Sequence, residues 1–154
     1  MPTYRHEWLC RQIVDNAPDA IILADRDGII RLWNAGAEAT FGYRAEEALG
    51  QTLDLIIPEH LRERHWAGYH KAMATETTRY GRELLAVPAR RKDGTRLSLE
   101  FTIVILRQAS GELLGPAAII RDVTARWQRD QTLKERLAAL EVQVQHSSAP
   151  PAEG

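Results

Sequence analysis

A chain of 154 residues with 44% apolar and 27% charged side chains has the length and composition of one folded domain, able to bury roughly two thirds of the surface its unfolded form exposes. Twenty Lys and Arg stand against 21 Asp and Glu, so no global field draws in nucleic acid or an anionic membrane, and neither partner is expected. Cys10 is the only cysteine, which excludes an intrachain disulfide, a cysteine-clustered metal site and a CxxC redox motif, and points to a reducing, cytoplasmic setting.

The first residues carry no apolar signal core, and no later run approaches the about 18 to 20 apolar residues that span a bilayer. From Glu7 to Val14, the residues Trp8, Leu9, Ile13 and Val14 recur at helical spacing until Asn16-Ala17-Pro18 stops the helix. Ala20–Ala24 and Ile29–Trp33 read as two strands, joined by a tight Asp25-Arg26-Asp27-Gly28 reversal. Between Asn34 and Ile57 the composition turns to Ala, Glu and Gly. Gly36, Gly42 and Gly50 interrupt it too often for one long helix, so several short ones are expected.

Pro58 suits a first helical turn and opens a helix through Thr75, with Leu61, His65, Tyr69 or Gly68, and Ala72 or Met73 three or four residues apart. A strand-like run from Glu83 to Ala89 leads to Lys92-Asp93-Gly94. Beyond it, Arg96 to Leu106 alternates, with Leu97, Leu99, Phe101, Ile103 and Ile105 on one face and Ser98, Glu100 and Thr102 on the other. A turn at Ser110-Gly111 precedes a last strand, Leu113 to Arg121. Strands in separated blocks with helices grouped between them specify an antiparallel α+β domain, its helices packed over one face.

After Asp122 the chain becomes a charged helix. Leu133, Leu137, Leu140 and Val144 follow the 4-3-4 spacing of a coiled-coil seam, whereas Arg126 and Asp130 take the earlier seam positions and weaken it there. The closing Ser147-Ser148-Ala149-Pro150-Pro151-Ala152-Glu153-Gly154 lacks the apolar surface to offset its ordering entropy and reads as a disordered tail.

Five segments stand in order along this frame: Ile13-Val14-Asp15-Asn16-Ala17-Pro18-Asp19-Ala20-Ile21, Trp33-Asn34-Ala35-Gly36-Ala37-Glu38 with Phe41-Gly42-Tyr43, Glu46-Glu47-Ala48-Leu49-Gly50, Arg91-Lys92-Asp93-Gly94-Thr95, and Arg121-Asp122-Val123-Thr124. In sequence and spacing they resemble the PAS superfamily, specifically its bacterial S-box kind with the C-terminal PAC portion. The resemblance implies a five-stranded antiparallel sheet whose inner face, closed by helices, makes a small-ligand or cofactor pocket. The chain then divides into a flanking amphipathic helix (1–12), a PAS/PAC sensory domain (13–124), a signalling helix (125–146) and the tail (147–154).

His65, Tyr69, Phe101 and Ile103 are the candidate pocket residues. The stretch His60-Leu61-Arg62-Glu63-Arg64-His65-Trp66-Ala67-Gly68-Tyr69 resembles the helix of oxygen-sensing haem PAS kinases in which a histidine at this point ligates iron. Those kinases carry an oxygen-contacting arginine in the following strand, and the roughly matching position here is Leu85. His65 is therefore read first as a structural histidine and second as a haem ligand. Photoactive flavin PAS domains require a cysteine in an Asn-Cys-Arg-Phe-Leu type motif, and a thioester-linked chromophore also needs one; Cys10 lies before the domain.

Trp66 and Tyr69 are read as core before ligand stacking. His60, His65 and His70 lie five residues apart, off the i, i+4 geometry of a two-histidine metal site, and no metal is expected. Arg90-Arg91-Lys92 reads as a solvated loop. Asp122 and Thr124 sit where the last strand becomes the exit helix and are the candidates for signal coupling, or for simple capping. Without a nucleophile motif, a paired-carboxylate site or a phosphate-binding glycine loop, the chain reads as a non-enzymatic sensor. The expectation is a homodimer that binds a small ligand and relays its state to an effector, the ligand's identity remaining open. A ligand-free dimerisation domain is the alternative.

Overall fold

The computed structural model describes residues 1–78 and 85–147. In chain order the elements are α1 (His6–Asn16), β1 (Ala20–Ala24), β2 (Ile30–Trp33), α2 (Ala35–Phe41), α3 (Ala45–Ala48), two 3-10 turns (Leu53–Leu55 and Glu59–Leu61), α4 (Arg62–Thr75), β3 (Leu85–Arg90), β4 (Arg96–Arg107), β5 (Leu113–Asp122) and α5 (Thr124–Ser147). Backbone contacts separate a unit ending at Asp122 from a second that begins at Val123.

In the first unit the strands form one antiparallel sheet in the order β2-β1-β5-β4-β3. The strands nearest the two ends of the unit therefore pair at its centre, with Ala20 opposite Ile120 and Leu23 opposite Ala117. This is the α+β, five-stranded architecture expected from the sequence. The predicted alternation of β4 holds where the core is deepest: Leu97 and Leu99 are buried. Phe101, Ile103 and Ile105 follow them on the same face but are only half-buried.

Two apolar clusters lie on that inner side. The larger contains Ile22, Ile30, Trp33, Phe41, Leu97, Leu99 and Ile120, with Phe101 packed against it. The smaller gathers Ala24, Tyr69, Met73 and Leu113, with Leu53, Trp66 and Ile105 at its edge. Each fully buried large apolar side chain removed from water contributes about 1.5 to 3 kcal/mol, so the larger cluster dominates the stability of the unit.

Buried Asn34 organises the start of the fold. Its Oδ1 accepts from Ile21 N–H (2.8 Å) and from Ala37 N–H (2.9 Å), the latter capping α2. Its Nδ2 donates to the carbonyls of Val14 (2.8 Å) and Asp19 (3.1 Å). One side chain thus joins α1, β1 and α2, and the bare Gly36 lets α2 lie against the chain before β1: a Cβ there would stand 2.1 Å from the Asp19 carbonyl oxygen.

Two boundaries differ from the sequence reading. The helix expected from Pro58 starts instead as a 3-10 turn, with Leu61 N–H bonded to the Pro58 carbonyl, and α4 proper begins at Arg62. The Arg62 guanidinium fills the resulting gap by donating to the carbonyls of Ile57 and Asp54. Ser147, assigned to the tail, is instead the last residue of α5, its hydroxyl donating to the Val144 carbonyl. The rest of the expected tail, 148–154, and the beginning of the run expected from Glu83 lie outside the described residues.

The basic run at 90–92 does more than face solvent. Arg91 donates to the Thr40 carbonyl at the end of α2, and Lys92 pairs with Glu47 of α3 beneath the Tyr43 ring, so the β3–β4 turn is fastened to both short helices. In the second unit α5 has no buried residue. Leu133, Leu137, Leu140 and Val144 are each more than half exposed on it.

Candidate functional site

Helix α4 lies beside the β1–β2 turn and is fixed to it by two aromatic side chains. The Tyr69 hydroxyl donates to the Asp25 carbonyl. The Trp66 indole N–H donates to Asp54 Oδ1 at 2.7 Å, while its ring lies against Gly28. Gly28 has φ +79°, and a Cβ on it would stand 2.1 Å from the indole. A side chain at 28 is thus excluded both by backbone geometry and by Trp66.

The turn is held from within by Asp25. Its Oδ1 accepts from the N–H groups of Asp27 (2.9 Å) and Ile29 (3.1 Å), and its Oδ2 accepts from Arg31 Nε at 2.8 Å. Burial works to raise the Asp25 carboxyl, but the Arg31 hydrogen bond and the two backbone donors outweigh it and leave the group below the ordinary carboxylate range.

His65 sits in the aromatic row. Its ring centroid is 4.9 Å from that of Trp66, edge-on, and 5.8 Å from that of Tyr69. Nδ1 is buried and has no hydrogen-bond partner among the described residues. Burial holds the imidazole below its ordinary pKa, with His70 adding to the effect and the Asp54 charge opposing it, so at neutral pH the ring is uncharged. Burial, then the Asp25 and Asp27 charges, push the Tyr69 phenol well above its usual range, leaving it a permanent neutral donor.

The sequence-derived pocket residues fall into two groups. His65 and Tyr69 come from α4 and neighbour each other. Phe101 and Ile103 come from the inner face of β4, opposite Ile120 and Ala118. Phe101 packs on the larger cluster and Tyr69 on the smaller, where Ile105 of the same β4 face joins it. Asp54, Gly28 and Asp25 were not anticipated, because their roles come from α4 folding back on residues distant in sequence. Asn34 was legible only as part of a motif, although an Asn before an alanine-rich helix is an N-cap signal.

At the exit, Asp122 closes β5 and Thr124 opens α5. The Trp127 N–H bonds to the Val123 carbonyl at 2.8 Å, which puts Val123 in the cap position between them.

The sequence profile described as PAS fold matches residues 14–128, three quarters of the chain. The chain belongs to the PAS family. It is 32% identical to the sensor protein FixL of Bradyrhizobium diazoefficiens over 90% of its own length and 27% of that protein's. To the signal-transduction histidine kinase AtoS of Escherichia coli it is 31% identical, over 83% of this chain and 20% of that one. Among solved structures it is similar to a PAS domain from Colwellia psychrerythraea (TM-score 0.68, 25% identity, 79% of this chain and 99% of that one). An RNA-binding light-oxygen-voltage receptor also matches (TM-score 0.67, 26% identity, 90% of this chain and 39% of that one).

The chain spans about a quarter or less of the length of these curated relatives. What is common to them is a PAS sensory domain of signal-transduction proteins.

Two cofactor chemistries can be compared with the PAS site here. Cys10, the only thiol, is exposed in α1 with Sγ 3.4 Å from His6 Nε2, before the first strand of the sheet. A haem iron would need His65 as its protein ligand. Metal-bound histidines hold their second ring N–H on an acceptor, and Nδ1 has none among the described residues. A ring bound to iron through Nε2 would therefore lack that brace, and the described residues do not fit a haem centre held in that way. Leu85, at the position of the oxygen-contacting arginine, pairs through its backbone with Phe101.

Proposed function

We propose that this PAS domain senses a small molecule bound between α4 and the inner face of the sheet, at His65, Tyr69, Phe101 and Ile103, and has no catalytic activity of its own. The observation that carries this reading is the buried Nδ1 of His65, unpartnered among the described residues. An orphaned buried polar atom costs about 1 to 3 kcal/mol, and a ligand that hydrogen-bonds to it recovers that energy. Binding would bias the sheet, whose last strand ends at Asp122, and the chain continues through Thr124 into α5. A ligand changes the output only by favouring one of two states of that junction.

The output side is a homodimer formed along Leu133, Leu137, Leu140 and Val144, an apolar row exposed in the single chain. That dimer would pass the signal to an effector domain or partner protein, in the reducing cytoplasm that the single cysteine suggests. The test is denaturing mass spectrometry of the purified chain together with its absorption spectrum. A stoichiometric released small molecule without a Soret band is expected. A protein that releases nothing, and whose dimer forms regardless, would replace this reading by that of a ligand-free dimerisation domain.

A further inference from the structure

We infer that the ligand is an uncharged, largely apolar molecule bearing a single hydrogen-bonding group, which engages Nδ1 of His65. This rests on the reading of the α4–sheet face as a ligand site and narrows it from an unknown small molecule to a chemical class.

Several polar groups on and beside α4 are already committed. The Trp66 N–H is spent on Asp54 and the Tyr69 hydroxyl on the Asp25 carbonyl. The Arg62 guanidinium is shared between the carbonyls of Ile57 and Asp54 and stands 3.9 Å from the Asp54 carboxylate. Arg31 is paired with Asp25. The described residues leave the buried Nδ1 of His65 without a partner, on a ring that stands against those of Trp66 and Tyr69; Leu53 and Ile105 join these two aromatic residues in the smaller apolar cluster.

Charge decides the rest. The carboxylates nearest this cluster, Asp25, Asp27 and Asp54, act on His65 and Tyr69 as negative charges. A carboxylate or phosphate ligand would enter a neutral-to-negative setting in which Arg31 and Arg62 are already engaged, and would lose hydration that these groups do not replace. A neutral ligand keeps the apolar contacts and meets one nitrogen with one polar group. The neutral imidazole holds a donor on one nitrogen and an acceptor on the other, so a hydroxyl, which can both donate and accept, suits either tautomer.

The test uses three probes that share one ring: phenol, toluene and benzoate, titrated into the full chain by amide and imidazole NMR. Phenol is expected to shift the His65 ring resonance and to bind about tenfold more tightly than toluene, the worth of one buried neutral hydrogen bond. Benzoate should bind more weakly than toluene. In His65→Leu, phenol and toluene should bind alike, and in His65→Gln, which retains a donor and an acceptor, phenol should keep its advantage. Benzoate matching phenol, a phenol preference surviving in His65→Leu, or failure of all three to bind would overturn the inference. A released endogenous molecule that proves to be an anion would overturn it while leaving the ligand-site reading intact.

Discussion

The indole of Trp66 occupies the volume that a side chain on Gly28 would need, so α4 and the β1–β2 turn interlock at a position where only glycine fits. Gly28→Ala is therefore expected to destabilise the domain by about 2 to 4 kcal/mol, from the left-handed alanine and the forced displacement of the ring. Urea unfolding measures the loss. The Trp66 indole N–H resonance, marked by its bond to Asp54, should move in the same variant. In Gly28→Ala/Trp66→Leu the two costs should sum to more than the double variant shows. Strict additivity would mean that the two residues do not interlock.

Asn34 uses its carbonyl and amide ends in opposite senses, and Asn34→Asp keeps the shape while reversing one of them. The new carboxylate would face the carbonyls of Val14 and Asp19, which now receive hydrogen bonds. A loss of about 3 kcal/mol or more follows from burying an unpaired charge against two acceptors. Thermal melting at neutral pH should rank Asn34→Asp at least as damaging as Asn34→Ala. A milder effect for Asp would show that the amide donors carry little of the stability.

His65 gives the domain a pH dependence of defined sign. Its folded pKa lies below the unfolded value of 6.5, so in that window the unfolded chain binds more protons. Stability is then fully present above about pH 6.5 and declines as the pH falls through the folded pKa. The neighbouring charges, Asp54 and His70, act in opposite directions on it. Denaturant unfolding at pH 7.5 and pH 5.5 should show this loss in the wild type and a smaller one in His65→Gln. Asp25, whose pKa is lowered, contributes a separate loss that begins only in the carboxylate range. Equal slopes in both proteins would remove His65 as the source.

Asp122→Ala should change the order of the exit helix while leaving the proposed ligand face near native. A junction hydrogen bond is worth about 0.5 to 2 kcal/mol, too little to unfold a domain of ordinary stability. Hydrogen exchange should accelerate from Val123 to about Asp130, with Phe101 and Ile103 protected as before. Unchanged exchange at the junction would refute the coupling role, and global loss of protection would make Asp122 a core structural residue.

The sheet was legible in the sequence because its signals are local. Period-2 alternation over β4 and the reversals at Gly28, Gly94 and Gly111 fix strand identity without tertiary information. The start of α4 was misjudged because proline fixes only its own φ, and whether the next turn closes as 3-10 or α depended on Arg62 reaching back to Ile57 and Asp54. For the site, His65 and Tyr69 could be named from helical spacing and family likeness. Their surroundings could not, since the Gly28–Trp66 and Tyr69–Asp25 contacts join segments that only the completed fold brings together.

Because Ala20 pairs with Ile120, and Asp19 is bridged to Arg121 at 3.0 Å, the chain enters and leaves the sheet at adjacent points, on strands about 4.8 Å apart. Such a unit behaves as a cassette. It can be spliced into a polypeptide, duplicated in tandem or exchanged for another of its kind without changing the gap between the segments on either side. The interior of the domain can then vary in sequence while the segments on either side keep the same short spacing.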